Sequence, residues 1–341
     1  MGVGDTVVIW GAGAIGGTIG AYLARAGHDI VFVDTVEEHV RAVRDRGLHI
    51  TGVEEFSARA PAYTPDTVTG LFTTILLCVK AHHTAAATRM LAPHLSEGGA
   101  VVSVQNGLNE PVIAGIVGPE RTVGCFVNFG ADYMEPGVVH YGGHGAVVVG
   151  ELDGETTPRI EYLYHVFQDF DEHAVLSPNV QGYLWSKQAY ASMLFATAVT
   201  DDGIADVLDD DAFRPVITAL AREVVAVATE QLVALEPFDG FDPSAFLPDA
   251  PPEAAEQSLD ALVAFNRRSA KTHSGIWRDL SVRKRRTEVD AQIGAVVELG
   301  RQHGIPVPLN ARLVRMIHQI EEGDRALARE NLEELATLLP T

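Results

Sequence analysis

Three features of the chain could do chemistry: a lysine on an apolar helix face, a glycine run after a strand, and a carboxylate closing the next strand. Lys187 lies in "NVQGYLWSKQAYAS" (179–192). Read as a helix, this stretch gives it Tyr183, Leu184, Tyr190 and Ala191 as i±3 and i±4 neighbours, with Leu194 continuing the stripe. Only four of the 25 basic residues are lysines, at 80, 187, 271 and 284, so arginine is the default cation. Lysine differs in that desolvation can strip its proton. That suits a proton donor and acceptor; the plain alternative is a side chain snorkelling from an amphipathic helix.

"VVIWGAGAIGG" sets Gly11, Gly13 and Gly16 in G-x-G-x-x-G spacing, directly after an apolar strand and at the start of a helix. Gly11 allows the tight turn, Gly13 lets backbone approach a pyrophosphate, and Gly16 lets helix pack on strand. The loop and helix N-terminus, including Ala12, Ala14 and Ile15, then present N–H groups and a partial positive charge to phosphate. Asp34 follows Gly16 by 18 residues, at the end of "VFVD". A carboxylate there binds the adenosine ribose hydroxyls and repels a 2′-phosphate. Glu37 and Glu38 come next, and no Arg or Lys appears before Arg41. NAD is favoured, with NADP as the alternative. A glycine turn without a ligand, and a strand-end Asp capping the next helix, are the bland readings.

These residues need elements to hold them. "TVVIW" (6–10), "IVFVD" (30–34), "TTILLCV" (73–79), "AVVSV" (100–104) and "TVGCFVNF" (122–129) read as strands. Helical stretches at 14–26, 36–46, 82–92 and 109–116 separate several of them, which predicts a doubly wound, mostly parallel sheet. "VVHYGGHGAVVVGEL" (138–152) reads as an antiparallel hairpin closing that sheet. Past about 177 the pattern is helical: 181–199, 211–236, 254–272, 285–303, and 309–336 in two pieces, with a Pro/Asp-rich loop at 236–254. The expected architecture is α/β: a Rossmann-type dinucleotide-binding domain over 1–178, then an all-α substrate and catalytic domain over 179–341, with a ligand cleft between them.

Composition sets the outer limits. At 341 residues two domains are expected, and no apolar run approaches a membrane span. The N-terminus lacks a basic segment before its apolar stretch, so it does not read as a signal peptide. Cys78 and Cys125 lie in strand-like runs and read as buried reduced thiols of a cytoplasmic protein. The net charge of −21 argues against nucleic acid and suits solubility in a salty or crowded cytoplasm. "RKRR" (283–286) is a basic island, read as a solvated helix face or an anion-facing patch. His82 and His83 are adjacent, and His140 and His144 fall in the hairpin, but no spacing matches a metal site; none is expected.

Several motifs occur together and in order: "GAGAIGG", "CVKA" (78–81), "VQNGL" (104–108), "LWSK" (184–187), "DLSVRKRRTEVD" (279–290) and "GIPVPLN" (304–310). Over nearly the whole chain this resembles the ketopantoate reductase family. The resemblance implies a Rossmann domain followed by a helical domain, and roles for individual residues. Lys187 matches the lysine that protonates the carbonyl oxygen. Glu288 matches the carboxylate partnering substrate and lysine. Asn106 matches the amide beside nicotinamide and substrate, and Lys80 a lysine near the cofactor. Ketone reduction builds negative charge on oxygen, so a positioned proton donor lowers the barrier. The bland readings are a Glu288–Lys284 pair at i−4 on a surface helix, a plain turn at Asn106-Gly107, and a polar strand end at Lys80.

The chain also departs from the family. Asparagines that normally follow the lysine by one and two turns are Ala191 and Phe195 here. A serine expected four residues before Asp279 is Gly275, with Ser274 adjacent, and the stretch from Asp279 to Glu288 is one residue longer than usual. Lost amides alter discrimination strongly. The expected activity is therefore nicotinamide-dependent interconversion of a 2-oxo acid, or related ketone, and its 2-hydroxy form, on a small substrate other than ketopantoate. Ala191, Phe195, Ser274 and Arg278 are the expected substrate-side residues, and Arg278 or an arginine of 283–286 is a replacement carboxylate anchor. Alternatives are an authentic 2-dehydropantoate 2-reductase, a β-hydroxyacid dehydrogenase of similar layout, and a dinucleotide-sensing protein without turnover. A homodimer is the expected assembly.

Overall fold

The computed structural model describes residues 6–268 and 272–339, and the chain separates into two compact units, Met1–Val180 and Gln181–Thr341. In the first, the elements run β1 (Val7–Trp10), α1 (Ala14–Ala26), β2 (Ile30–Val33), α2 (Glu37–Arg46), β3 (Leu48–Gly52), β4 (Phe56–Ala58), β5 (Ala62–Tyr63), β6 (Phe72–Leu77), α3 (Thr84–Leu91), β7 (Leu95–Ser103), α4 (Glu110–Val117), β8 (Thr122–Val127), β9 (Gly130–Glu135), β10 (Val138–Gly143), β11 (Val147–Glu151), α5 (Pro158–Phe170) and β12 (Val175–Leu176). Eight strands form one sheet in the order β12-β11-β8-β7-β6-β1-β2-β5. All neighbours are parallel except β8 and β11.

The period of two along each strand divides the core. Val7, Ile9, Ile30 and Phe32 join one apolar cluster with residues of α1 and α5. Val8, Trp10, Val31, Val33, Ile75 and Leu77 join another with residues of α3 and α4. Both faces are covered, which is why these strands read as continuous apolar runs.

The expected 138–152 hairpin does not form. β10 belongs to a second sheet of four strands, in the order β4-β3-β10-β9, and its antiparallel partner is β9. β11 joins the main sheet against β8. Burial explains the split: β10 alternates, with Val139 and Tyr141 buried between more exposed neighbours, while all of β11 is buried. One strand needs a single covered face and the other needs two.

The second unit is helical: α6 (Val180–Thr197), α7 (Ile204–Leu208), α8 (Arg214–Glu230), α9 (Pro252–Arg268), α10 (Gly275–Trp277), α11 (Ala295–His303), α12 (Pro308–Glu322) and α13 (Glu330–Ala336). The end of the expected 254–272 helix, with Lys271, falls outside the described residues. The expected 285–303 helix starts late. Residues 283–288 are non-helical, and helical structure resumes as a π-type turn at Asp290–Gly294. Asp279 causes this. Its buried carboxylate accepts from Arg283 and Arg285, 3.0 and 2.9 Å away, and its carbonyl accepts the Arg285 N–H. The chain wraps around Asp279, with Lys284 at φ +48°.

Candidate active site

The glycine loop is built as its spacing requires. Gly11 has φ +100°, and a Cβ there would lie 2.8 Å from the Val79 nitrogen. A Cβ on Gly16 would lie 2.1 Å from the Gly11 carbonyl oxygen, so α1 could not approach the loop with any larger residue. A Cβ on Gly13 would meet nothing within 4 Å. Gly13 is also the N-cap of α1, has no side-chain cap, and is followed by no acid in the first turn. An uncapped 13-residue helix N-terminus with open space above it fits a dinucleotide pyrophosphate.

Asp34 organises this loop. One carboxylate oxygen accepts the Ala12 N–H at 2.9 Å and the other the Val36 N–H at 3.0 Å. It therefore makes a local turn and a latch and does not cap α2, whose N-cap is Val36 without a side-chain cap. Burial, with the charges of Asp34, Glu38 and Glu135, raises the Tyr133 hydroxyl above its ordinary range.

Asn106 and Lys80 follow β7 and β6 at the carboxyl edge of the parallel sheet. A chain of amides ties the two strand ends together. Gln105 Nε2 donates to the Val79 carbonyl and to Thr84 Oγ1, both at 2.8 Å. Thr84 Oγ1 donates to Asn109 Oδ1 at 2.9 Å, and Asn109 Nδ2 to the Asn106 carbonyl at 2.8 Å. The Asn106 turn is thereby fixed by Gln105, Thr84 and Asn109. Beyond it, Glu110 is buried and its carboxyl is pushed up to about 7, chiefly by desolvation.

In the helical unit, α6 is buried along most of its surface. Lys187 is half-buried, as are Tyr183 and Leu194 in line with it, whereas Leu184, Tyr190 and Ala191 are buried. The lysine thus occupies the open edge of the stripe. The helix is pinned from two sides. The Glu236 N–H donates to Ser186 Oγ at 3.0 Å, and Ser192 Oγ donates to Asn310 Oδ1 at 2.5 Å. Asn310, in the "PLN" at the start of α12, also donates to the Leu220 carbonyl and to Glu223 of α8, each at 2.9 Å. Glu223 accepts the Leu309 and Asn310 N–H groups and so caps α12 from another helix.

Glu288 lies in the non-helical stretch, so the i−4 helical pairing with Lys284 has no helix to support it. Its turn is held by Thr287, whose N–H and hydroxyl both donate to Glu321 Oε1 at 2.7 Å. Of the expected substrate-side residues, Ala191 and Phe195 are both buried on α6, 5% and 0% exposed. Ser274 is buried and its hydroxyl caps α10 by accepting the Trp277 N–H at 3.1 Å. Arg283 and Arg285 are engaged by Asp279, and Arg278 is half-buried. Sequence reasoning missed Thr84, Glu223 and Glu321, which act across elements that only folding brings together, and Asn109, which joins the distant Thr84 to the nearby Asn106 carbonyl.

A glycine-loop sheet unit followed by a lysine-bearing helical unit defines the class: nicotinamide-dependent oxidoreductases of the two-domain kind. Residues 7–154 match the family model described as ketopantoate reductase PanE/ApbA, and residues 179–321 match its C-terminal counterpart. The chain belongs to the ketopantoate reductase family. It is 28% identical to a 2-dehydropantoate 2-reductase of Pyrococcus abyssi over 91% of this chain and 96% of the relative. It is also 28% identical to one of Halobacterium salinarum over 91% and 97%. Among solved structures it is similar to a PanE/ApbA family ketopantoate reductase from Ralstonia eutropha, with TM-score 0.77 and 26% identity over 93% of this chain and 99% of that one. The fold is shared with a D-mandelate dehydrogenase solved with NADH and anilino(oxo)acetate, at TM-score 0.80 and 20% identity over 93% and 98%.

Proposed function

We propose that the protein interconverts a 2-oxo acid, or a related ketone, and its 2-hydroxy form, with Lys187 as proton donor and acceptor, NAD as the favoured cofactor, and a substrate other than ketopantoate. As a family member the chain is an NAD(P)-dependent oxidoreductase acting on CH–OH groups. The α6 helix carries the choice of substrate and proton donor. It keeps a half-buried lysine on its open edge, while the positions one and two turns on, Ala191 and Phe195, are apolar and buried. The family's proton donor is kept, and the amides expected to grip the substrate are replaced by groups that cannot hydrogen-bond.

A bound nicotinamide supplies or accepts the hydride. The protein's own residues do the rest. Lys187 gives a proton to the carbonyl oxygen during reduction and takes it back during oxidation. Glu288, on the turn held by Glu321, orients substrate and ammonium. Asn106, on the turn held by Asn109, supplies the amide beside the reacting carbon. Lys80 offers a positive charge to the cofactor, and Arg278 anchors the substrate carboxylate by paired N–H donors. Asp34 spends two acceptor positions on backbone N–H groups, and a carboxylate has about four, so two remain for ribose hydroxyls. Glu38 and Glu135 act with Asp34 in raising the Tyr133 hydroxyl, so negative charge accompanies Asp34 and disfavours a 2′-phosphate, which supports NAD. That a mandelate dehydrogenase shares the fold supports a 2-hydroxy acid. The thiols of Cys78 and Cys125 suit the cytoplasm.

The test is turnover of a panel of 2-oxo acids, 2-hydroxy acids, their esters and lactones, each with NAD(H) and NADP(H). Selective NAD-dependent turnover of a compound other than ketopantoate is expected. Efficient NADPH-dependent reduction of ketopantoate would instead place the protein with the 2-dehydropantoate 2-reductases that its relatives are named for. Cofactor binding without turnover of any compound would leave a dinucleotide sensor.

A further inference from the structure

We infer that His39 is a positioning residue for the dinucleotide loop, acting through the Ala12–Gly13 peptide. His39 lies in the first turns of α2, 1% exposed. Its Nδ1 is 3.0 Å from the Gly137 backbone nitrogen, and its Nε2 is 2.8 Å from the Ala12 carbonyl oxygen. A backbone N–H can only donate, so Nδ1 must accept. The proton then sits on Nε2 and is donated to Ala12. Both ring nitrogens are satisfied only by the neutral Nε2–H tautomer. Neither the charged ring nor the other tautomer fits.

The consequence for the loop follows from peptide planarity. Ala12 is held at both ends: its N–H by Asp34 and its carbonyl by His39. Because the peptide is planar and trans, a carbonyl fixed toward His39 directs the next N–H, that of Gly13, away from it. Gly13 is the residue with open space beside it and the N-cap of α1. His39 thus sets the direction of a donor in the loop that receives the pyrophosphate. Its other bond reaches the turn between β9 and β10, where the Gly137 carbonyl accepts the His49 N–H at 2.8 Å. The Tyr133 ring lies edge-on to His39 at 5.1 Å. The second sheet, absent from the simplest dinucleotide-binding units, therefore braces the cofactor loop through one imidazole.

The test uses the full-length enzyme and reads dinucleotide binding directly. NADH and NADPH Kd values are measured by fluorescence titration for wild type, His39→Leu and His39→Gln, alongside thermal midpoints, kcat, and substrate KM at saturating cofactor. His39→Leu removes both bonds and should raise the Kd of the preferred dinucleotide at least fivefold, with kcat and substrate KM within twofold of wild type. His39→Gln, which can still donate to Ala12, should recover part of that loss. A lowered midpoint with unchanged Kd in both variants would reduce His39 to a packing residue and overturn the inference. So would a loss confined to kcat. Imidazole ¹⁵N shifts of the wild-type protein check it without any variant: they must report Nε2–H, and an Nδ1–H ring would refute the arrangement.

Discussion

Glu110 and Lys187 show how a single side chain's surroundings set its chemistry. Glu110 is buried, and desolvation pushes its carboxyl up to about 7 from 4.5. Between those values the folded state binds more protons than the unfolded state, so stability falls as pH rises through that window and stays lower above it. Replacing it by Gln, which cannot ionise, should leave stability similar at pH 4 and raise it at pH 8.5 by about 3 kcal/mol at most, since one pKa unit is worth about 1.4 kcal/mol. Urea denaturation of both proteins at the two pH values measures this; a difference that does not grow with pH refutes it. For Lys187, half-buried on a buried helix, Lys187→Ala should lower kcat by roughly 10²–10⁴ with the cofactor Kd unchanged, if it is the general acid. An undiminished rate removes it from the mechanism. Asp34→Ala frees the Ala12 N–H and removes a negative charge, so the ratio of NADPH to NADH Kd should fall. An unchanged ratio would mean that another residue sets the preference.

At the scale of elements, α6, α8 and α12 are joined by one buried amide. Asn310 is fully buried and its side chain makes three hydrogen bonds, to Ser192, Leu220 and Glu223. Asn310→Ala takes the acceptor from the Ser192 hydroxyl and a donor from both the Leu220 carbonyl and the Glu223 carboxylate, and should cost about 2–4 kcal/mol. Chemical denaturation measures the loss, and a double-mutant cycle with Ser192→Ala isolates the coupling; a coupling near zero would show that the two helices are held independently. The motif "GIPVPLN" was visible in the sequence, but its role was not. A sequence does not show that the N–H groups opening α12 will find their acceptor in Glu223, 86 residues away from Leu309. The split of 138–152 between two sheets was half-visible. "VVHY" alternates and "VVVGE" does not, yet the glycines between them look like a hairpin turn until β9 competes for β10.

At the scale of the whole molecule, charge dominates. A net charge of −21 repels itself in the compact state, and salt screens that repulsion. Salt also weakens surface ion pairs, such as Arg329 with Asp202 and Asp210, or Arg301 with Glu298. Exposed pairs are worth about 0–1 kcal/mol each, so relief of the long-range repulsion should win. The thermal midpoint should rise between 0.1 and 1 M KCl, by about 2–4 °C for each kcal/mol recovered. A falling midpoint would show that the ion pairs outweigh the net charge.

The sequence by itself determined the features that depend on neighbours along the chain. The glycine spacing, the strand-end Asp34 and the apolar periods of strands and helices are local, and each specifies its own turn, acceptor or face. It also placed Lys187 on a helix and Asn106 at a strand end. Tertiary structure alone decided what holds them. It set Thr84 behind Gln105 and Asn109, Glu321 behind the Glu288 turn, His39 behind Ala12, and Asp279 in the path of a helix that would otherwise have run through 285. The reason is physical: a hydrogen bond between distant segments depends on where folding leaves each group, and its energy is too small and too directional to leave a periodic trace in the sequence.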